Sequence, residues 1–146
     1  MKDTQKNSII LPPFLEEVVP LEIYKKWLKR QADRHFKRDN IRWGKRSSRE
    51  GYQGMIHEAV LRSEGVDAFT GQPMDWKLIS QYRAGHKRAN YRNLPTVDHT
   101  FSPPDHLTFE ICSWTVNDCK NDLTVEQWLV LLENILTHMR GKKKSV

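Results

Sequence analysis

From Leu94 to Asp122 the sequence reads as extended run, turn, extended run and helix, an order that constrains this chain more than any other feature. Leu94-Pro95-Thr96-Val97-Asp98-His99 is the first run, and Pro95 keeps it at a sheet edge or confines its ladder to the later residues. Ser102-Pro103-Pro104-Asp105 is a turn, after which Leu107 to Cys112 alternates as a strand does. Ser113 or Thr115 can cap a short helix through about Asp122. Helical patterns on both sides make the class α+β.

Those flanking patterns are readable in outline. Residues 1–18 form an arm whose Ile9, Ile10, Leu11 and Phe14 can pack on the body. Pro20 suits a helix first turn, and Leu21, Tyr24, Leu28 and Ala32 predict a helix near residues 20–34. Ser47 and Glu50 make a capping box for a second helix, whose stripe of Tyr52, Met55, Ile56, Ala59 and Val60 ends before Gly65. Turn chemistry covers Asp67 to Pro73, Met74 to Tyr82 is a short helix or a strand, and Arg83 to Asn93 is a loop. Thr124 and Gln127 form another box, opening a last helix of Trp128, Leu131, Leu132, Ile135, Leu136 and Met139 that stops near Gly141 and leaves Lys142 to Lys144 as a frayed tail. A chain of 146 residues is one domain's worth, burying roughly 70% of its unfolded surface. We expect a single domain over 1–146, divided into a basic helical region (1–65), the strand-turn-strand-helix core (66–123) and a C-terminal helix (124–140).

Charge narrows the partner. The net charge is +6, but between Lys25 and Arg49 eleven cations face only Asp33 and Asp39, a local excess of nine. Trp27, Phe36 and Trp43 are interleaved among them, the composition of a nucleic-acid surface. We expect Lys29, Arg30, Arg34, Lys37, Arg38, Arg42, Lys45 and Arg46 to contact phosphates, with a second cluster of Arg83, Lys87, Arg88 and Arg92. Two cysteines, Cys112 and Cys119, can build neither a disulfide framework nor a structural zinc site, so a reducing cytoplasm is expected. No stretch approaches the ~20 apolar residues of a membrane span.

The core segment resembles the ββα-metal motif of the HNH endonucleases. The resemblance rests on Phe69-Thr70-Gly71, then Pro95-x-Val97-Asp98-His99, then Ile111-Cys112 and Asn117-x-x-Lys120, and covers roughly residues 66–123. It implies that Asp98 and Asn117 hold a divalent metal, that His99 is the general base, and that Lys120 contributes to the site. The family's middle Asn, nine positions before the helix ligand, falls on Thr108; either Thr108 or His106, two residues earlier, takes over its task of holding the base, or the base is poorly held. Zinc-binding cysteines that frame the motif in many relatives are absent here, so packing must do that job.

Elementary chemistry agrees with those roles. Hydrolysing a phosphodiester needs a nucleophilic water, a base and positive charge on the developing phosphorane. One carboxylate and one amide oxygen make a hard site suited to Mg²⁺ or Mn²⁺. Asp98 and His99 are adjacent on a strand and point to opposite faces, so a bend or bulge is expected to bring them together. Asp-His alone carries nothing, since Asp105-His106 occurs as well. His35, His57, His86 and His138 read as surface residues, and Cys112 as a small core residue. The expected function is metal-dependent cleavage of DNA, with RNA as the other polyanion; DNA is favoured by the resemblance alone. The rivals are a nucleic-acid-binding module on a decayed nuclease scaffold and an interaction protein using the last helix. A homodimer would fit double-strand cleavage, although no residue of the sequence argues for one.

Overall fold

The computed structural model describes residues 8–100 and 107–145, in the α+β class. The arm opens with a 3₁₀ turn, Pro13–Leu15, which buries Leu15 and places Phe14 edge-on to Trp76, ring centroids 5.4 Å apart. Helix α1 follows over Leu21–Trp43, nine residues beyond the expected end. Its buried stripe is Tyr24, Trp27, Leu28, Gln31, Ala32, His35 and Asp39. The helical spacing therefore continues past Ala32, but through polar side chains that a hydrophobic period does not register. Gly44, at φ +78°, ends it in a conformation that L side chains rarely adopt.

Helix α2 spans Arg49–Ser63. The Ser47–Glu50 box does not form; Ser48 is the cap, its hydroxyl accepting from the Gly51 N–H. Tyr52, Ile56, Ala59 and Val60 are buried as the stripe requires, and α1 and α2 pack against each other over the sheet. The ambiguous segment after the turn is a four-residue helix, α3, Leu78–Gln81. It follows Trp76, which stands edge-on to Trp27 at 5.6 Å.

Strands β1 (Pro95–His99) and β2 (Phe109–Ser113) pair antiparallel, from Pro95↔Ser113 to His99↔Phe109. Helix α4, Trp114–Lys120, follows at once, capped by the Ser113 hydroxyl on the Val116 N–H. In place of a zinc clamp a buried carboxylate fastens the core: Asp67 accepts from Phe69 N–H (2.8 Å) and Thr70 N–H (3.1 Å) through Oδ1, and from Ser113 N–H (2.8 Å) through Oδ2. One side chain thus ties the turn to the junction of β2 and α4. The Thr124–Gln127 box forms as expected and opens α5, Val125–Lys144. Gly141 does not stop this helix, and the three tail lysines belong to its last turn. Among the described residues no helix is long and apolar enough to cross a membrane.

Candidate active site

Alternation along β1 sorts the candidate residues between two faces. Thr96 and Asp98 point toward α4, where Asn117 Nδ2 donates to Thr96 Oγ1 (3.1 Å) and Lys120 Nζ lies 3.0 Å from Asp98 Oδ2. Val97 and His99 point toward α1. The ladder pairs residue for residue through Asp98↔Glu110 and His99↔Phe109, so the expected bulge is absent and Asp98 and His99 flank the end of the strand.

On the α4 face, Asp98 and Asn117 line one cavity of about 960 Å³ between α1 and the ββα core. Burial raises the Asp98 carboxyl above the usual carboxylate range, and the Lys120 ammonium pulls it back. Because the Asn117 amide nitrogen is spent on Thr96, its oxygen is the atom left for a ligand. Among the described residues no cluster of three or more His, Cys, Asp or Glu could hold a metal. What the chain offers is one carboxylate and one amide oxygen, a donor set that fits a hard cation keeping most of its waters.

Lys120, expected to contribute to the site, does so as an ion-pair partner and not as a surface charge. It is 2% exposed, its ammonium lies against Asp98, and it stands 3.5 Å from the His99 carbonyl. It is a buried charge partner that also braces the backbone of the expected base.

On the α1 face His99 meets a residue that sequence reasoning missed. Asp39, fully buried, receives the Nε2–H of His99, with Oδ2 at 3.0 Å and Oδ1 at 3.2 Å, and the Tyr52 hydroxyl donates to the same carboxylate at 2.8 Å. The ring sits between Phe109, 4.6 Å away, and His35, 5.0 Å away. Burial lowers the His99 pKa, with Asp39 opposing the shift, which favours the neutral ring. A neutral imidazole whose Nε2–H is held by a carboxylate keeps its lone pair on Nδ1. That atom is buried and has no hydrogen-bond partner among the described residues.

The positioning role expected of Thr108 is divided. Its hydroxyl lies 2.8 Å from Thr100 Oγ1 and its carbonyl accepts the Thr100 N–H at 3.3 Å, fastening the residue after the base. His106 lies outside the described residues. His35 is not a surface residue: it is buried, accepts from Arg38 at 2.8 Å, and burial together with the neighbouring Arg38 pushes its pKa down to about 2. His57 is half-buried, its Nδ1 bound to the Tyr24 hydroxyl at 2.7 Å. Cys112 is buried beneath the site and its thiol is pushed up to about 12 by burial.

Of the expected phosphate contacts, Arg30, Arg34, Arg38 and Arg83 line the cavity, and Lys26 joins them. Lys26, Arg30, Arg34 and Arg38 form an i, i+4 row on α1, rising ~6 Å per step. Lys29, Lys37, Arg42, Lys45, Arg46, Lys87 and Arg92 do not line it, and the Arg88 side chain is outside the described set. Comparison with protein-family models, curated proteins and solved structures returns no match to this chain.

Proposed function

We propose that the chain is a metal-dependent HNH-type endonuclease that hydrolyses phosphodiester bonds in DNA, acting in the cytoplasm where Cys112 and Cys119 stay reduced. The observation that carries this is the flanking of one strand end by two chemistries: an Asp39-bound imidazole on one side and the Asp98–Asn117 oxygen pair on the other. In-line displacement needs the attacking and leaving oxygens on opposite sides of phosphorus, so a scissile phosphate seated across the end of β1 would meet the base on one side and the oxygen pair on the other. His99 Nδ1, buried and unpaired in the free protein, is the atom that would take the proton of the attacking water once a phosphate seated at the strand end opens a path to it, and Asp39 would stabilise the imidazolium that results. Asp98 and Asn117 would hold Mg²⁺ or Mn²⁺, and such an ion would supply positive charge where negative charge develops in the transition state. Lys26, Arg30, Arg34 and Arg38 guide the phosphate backbone toward that end of the strand.

The test is incubation of supercoiled plasmid with Mg²⁺ or Mn²⁺ and with EDTA. Nicking or linearisation is expected only with the ion. His99→Ala should slow it by at least ~10²-fold, the scale of general-base catalysis, while leaving DNA binding unchanged; wild-type rates from His99→Ala would remove the base. A second reading, a DNA-binding module without cleavage, is favoured by the Lys120 ammonium already resting on Asp98. It predicts salt-sensitive binding and no nicking in either metal.

A further inference from the structure

The cavity beside Asp98 has room for more than a phosphate. At about 960 Å³ it matches pockets that enclose a whole drug-sized molecule, and cations line only part of it. They form the α1 row that ends at Arg38, within electrostatic reach of Asp98. Another part of the wall is aromatic. Tyr82 and Trp114 both line the cavity and are half-buried, their ring centroids 5.3 Å apart and their planes at 82°. Both rings are fixed in place. The Trp114 N–H donates to the Leu94 carbonyl at 2.9 Å, which ties the start of α4 to the approach of β1, and Tyr82 packs edge-on to Tyr91 at 5.2 Å.

Strand register sets this wall relative to the reacting centre. Pro95 pairs with Ser113, so Trp114 stands where β1 begins, and Asp98 follows three residues later, ~10 Å along the strand. A cationic track with aromatic faces beside it is the arrangement that holds single-stranded nucleic acid, the cations following the phosphates and the rings taking the bases. Within a duplex the bases stack on one another, and a protein reaches their faces only by extruding them. A duplex cannot sink into this cleft either, because its sides converge. Trp27 of α1 lies 5.6 Å from Trp76, and His35 of α1 lies 5.0 Å from His99. Gln31, buried between them on α1, also lines the cavity, and its amide can both donate to and accept from the edge of a base.

We propose that the cavity holds an unpaired strand, a base beside the scissile phosphate stacking on Trp114 and Tyr82, so that the substrate is DNA that is single-stranded or locally opened. The cleavage in this statement rests on the nuclease reading; the binding does not.

Binding is measured first, in EDTA, by fluorescence anisotropy of labelled oligothymidylate and of a duplex of the same length. Charge alone would favour the duplex, which carries twice the phosphates per unit length. The aromatic wall reverses that order, and the single strand should bind about tenfold more tightly, the scale of one stacked base. Trp114→Ala should remove the advantage, whereas Trp114→Phe, which keeps a ring, should retain most of it. Because Trp114 also packs on the core, the native protein supplies a second measurement. Ultraviolet irradiation of its complex with oligothymidylate carrying iodouracil should join the strand to Tyr82 or Trp114, read by mass spectrometry of the peptides. A strand bound no more tightly than the duplex, or crosslinks that avoid both rings, overturns the subsite. Cleavage in Mg²⁺ or Mn²⁺ separates this result from the nuclease reading. A duplex with a central bubble should be cut inside the bubble at least about tenfold faster than its fully paired counterpart. Equal cutting of the two keeps the nuclease and overturns the subsite. A strand that binds and crosslinks as expected but is never cut overturns the nuclease and leaves the subsite standing.

Discussion

His99 can serve as a base only if something decides which ring nitrogen carries the proton, and Asp39 decides it by holding Nε2–H at 3.0 Å. Asp39→Asn preserves the shape but removes that preference, because an amide can donate to the ring as readily as accept from it. Plasmid nicking should fall by at least ~10²-fold in the variant, with its pH profile displaced, whereas a residue that merely packed would leave the profile in place. His35 sets a different pH dependence. Buried and next to Arg38, it refuses in the folded state a proton that the unfolded chain accepts below about 6.5. The unfolded chain therefore binds more protons, and stability is lost as pH falls through that value. Burial lowers His57 and His99 too, so they act in the same sense, while the raised Asp98 carboxyl opposes them closer to the carboxylate range. Denaturant unfolding at pH 5 should show a stability below that at pH 7, with about 2 kcal/mol of the loss coming from His35, and His35→Gln should shrink the difference by about that amount. Equal stability of the native protein at the two pH values would contradict this account.

At the scale of elements, a two-stranded ribbon is marginal alone, and here Asp67 supplies the fastening that zinc-binding cysteines give other proteins. Asp67→Ala strands three backbone N–H groups, two in the turn and one at the buried end of β2. We expect it to cost about 3 kcal/mol, measured as a shift of the urea midpoint at constant m-value; a shift under a few tenths of that would show that the turn holds without it. Both strands, α4, and the Thr124 box of α5 were legible because each announces itself locally, by alternation or by a cap three residues ahead of its partner. The end of α1 was not, since Gln31, His35 and Asp39 continue the buried face at four-residue intervals while the hydrophobic pattern stops at Ala32. Polar residues at helical spacing beyond an apolar stripe were the available signal. The one-residue error at the start of α2 has a plainer cause: Ser47 and Ser48 are adjacent and chemically equal, and only the path of the chain after Gly44 chooses between them.

Sixty residues separate Asp39 from His99, and at the scale of the whole molecule that distance explains what the sequence could not disclose. Asp98, His99 and Asn117 lie within one supersecondary unit and carry their own spacing, whereas Asp39 is recruited by the packing of α1 across the sheet. The same packing selects among the cations. Within a run of eleven, helical geometry turns Lys26, Arg30, Arg34 and Arg38 toward the Asp98 cavity, with Arg83 across from them, and turns Lys29 and Lys37 away. If a DNA backbone runs along this wall, five neutralised phosphates give a log-log salt slope of about −4.5 on duplex and about −3.5 on single strands. Replacing Arg30 or Arg34 by Ala should shallow the slope by about one each, because each removes one released counterion. Lys29→Ala and Lys37→Ala lower the net charge equally but lie off the wall, so their slopes should stay near that of the native protein. Fluorescence anisotropy of labelled duplex across a salt series separates the alternatives. Equal slopes for all four variants would mean that the protein attracts DNA through its overall charge, with no track leading to Asp98 and His99.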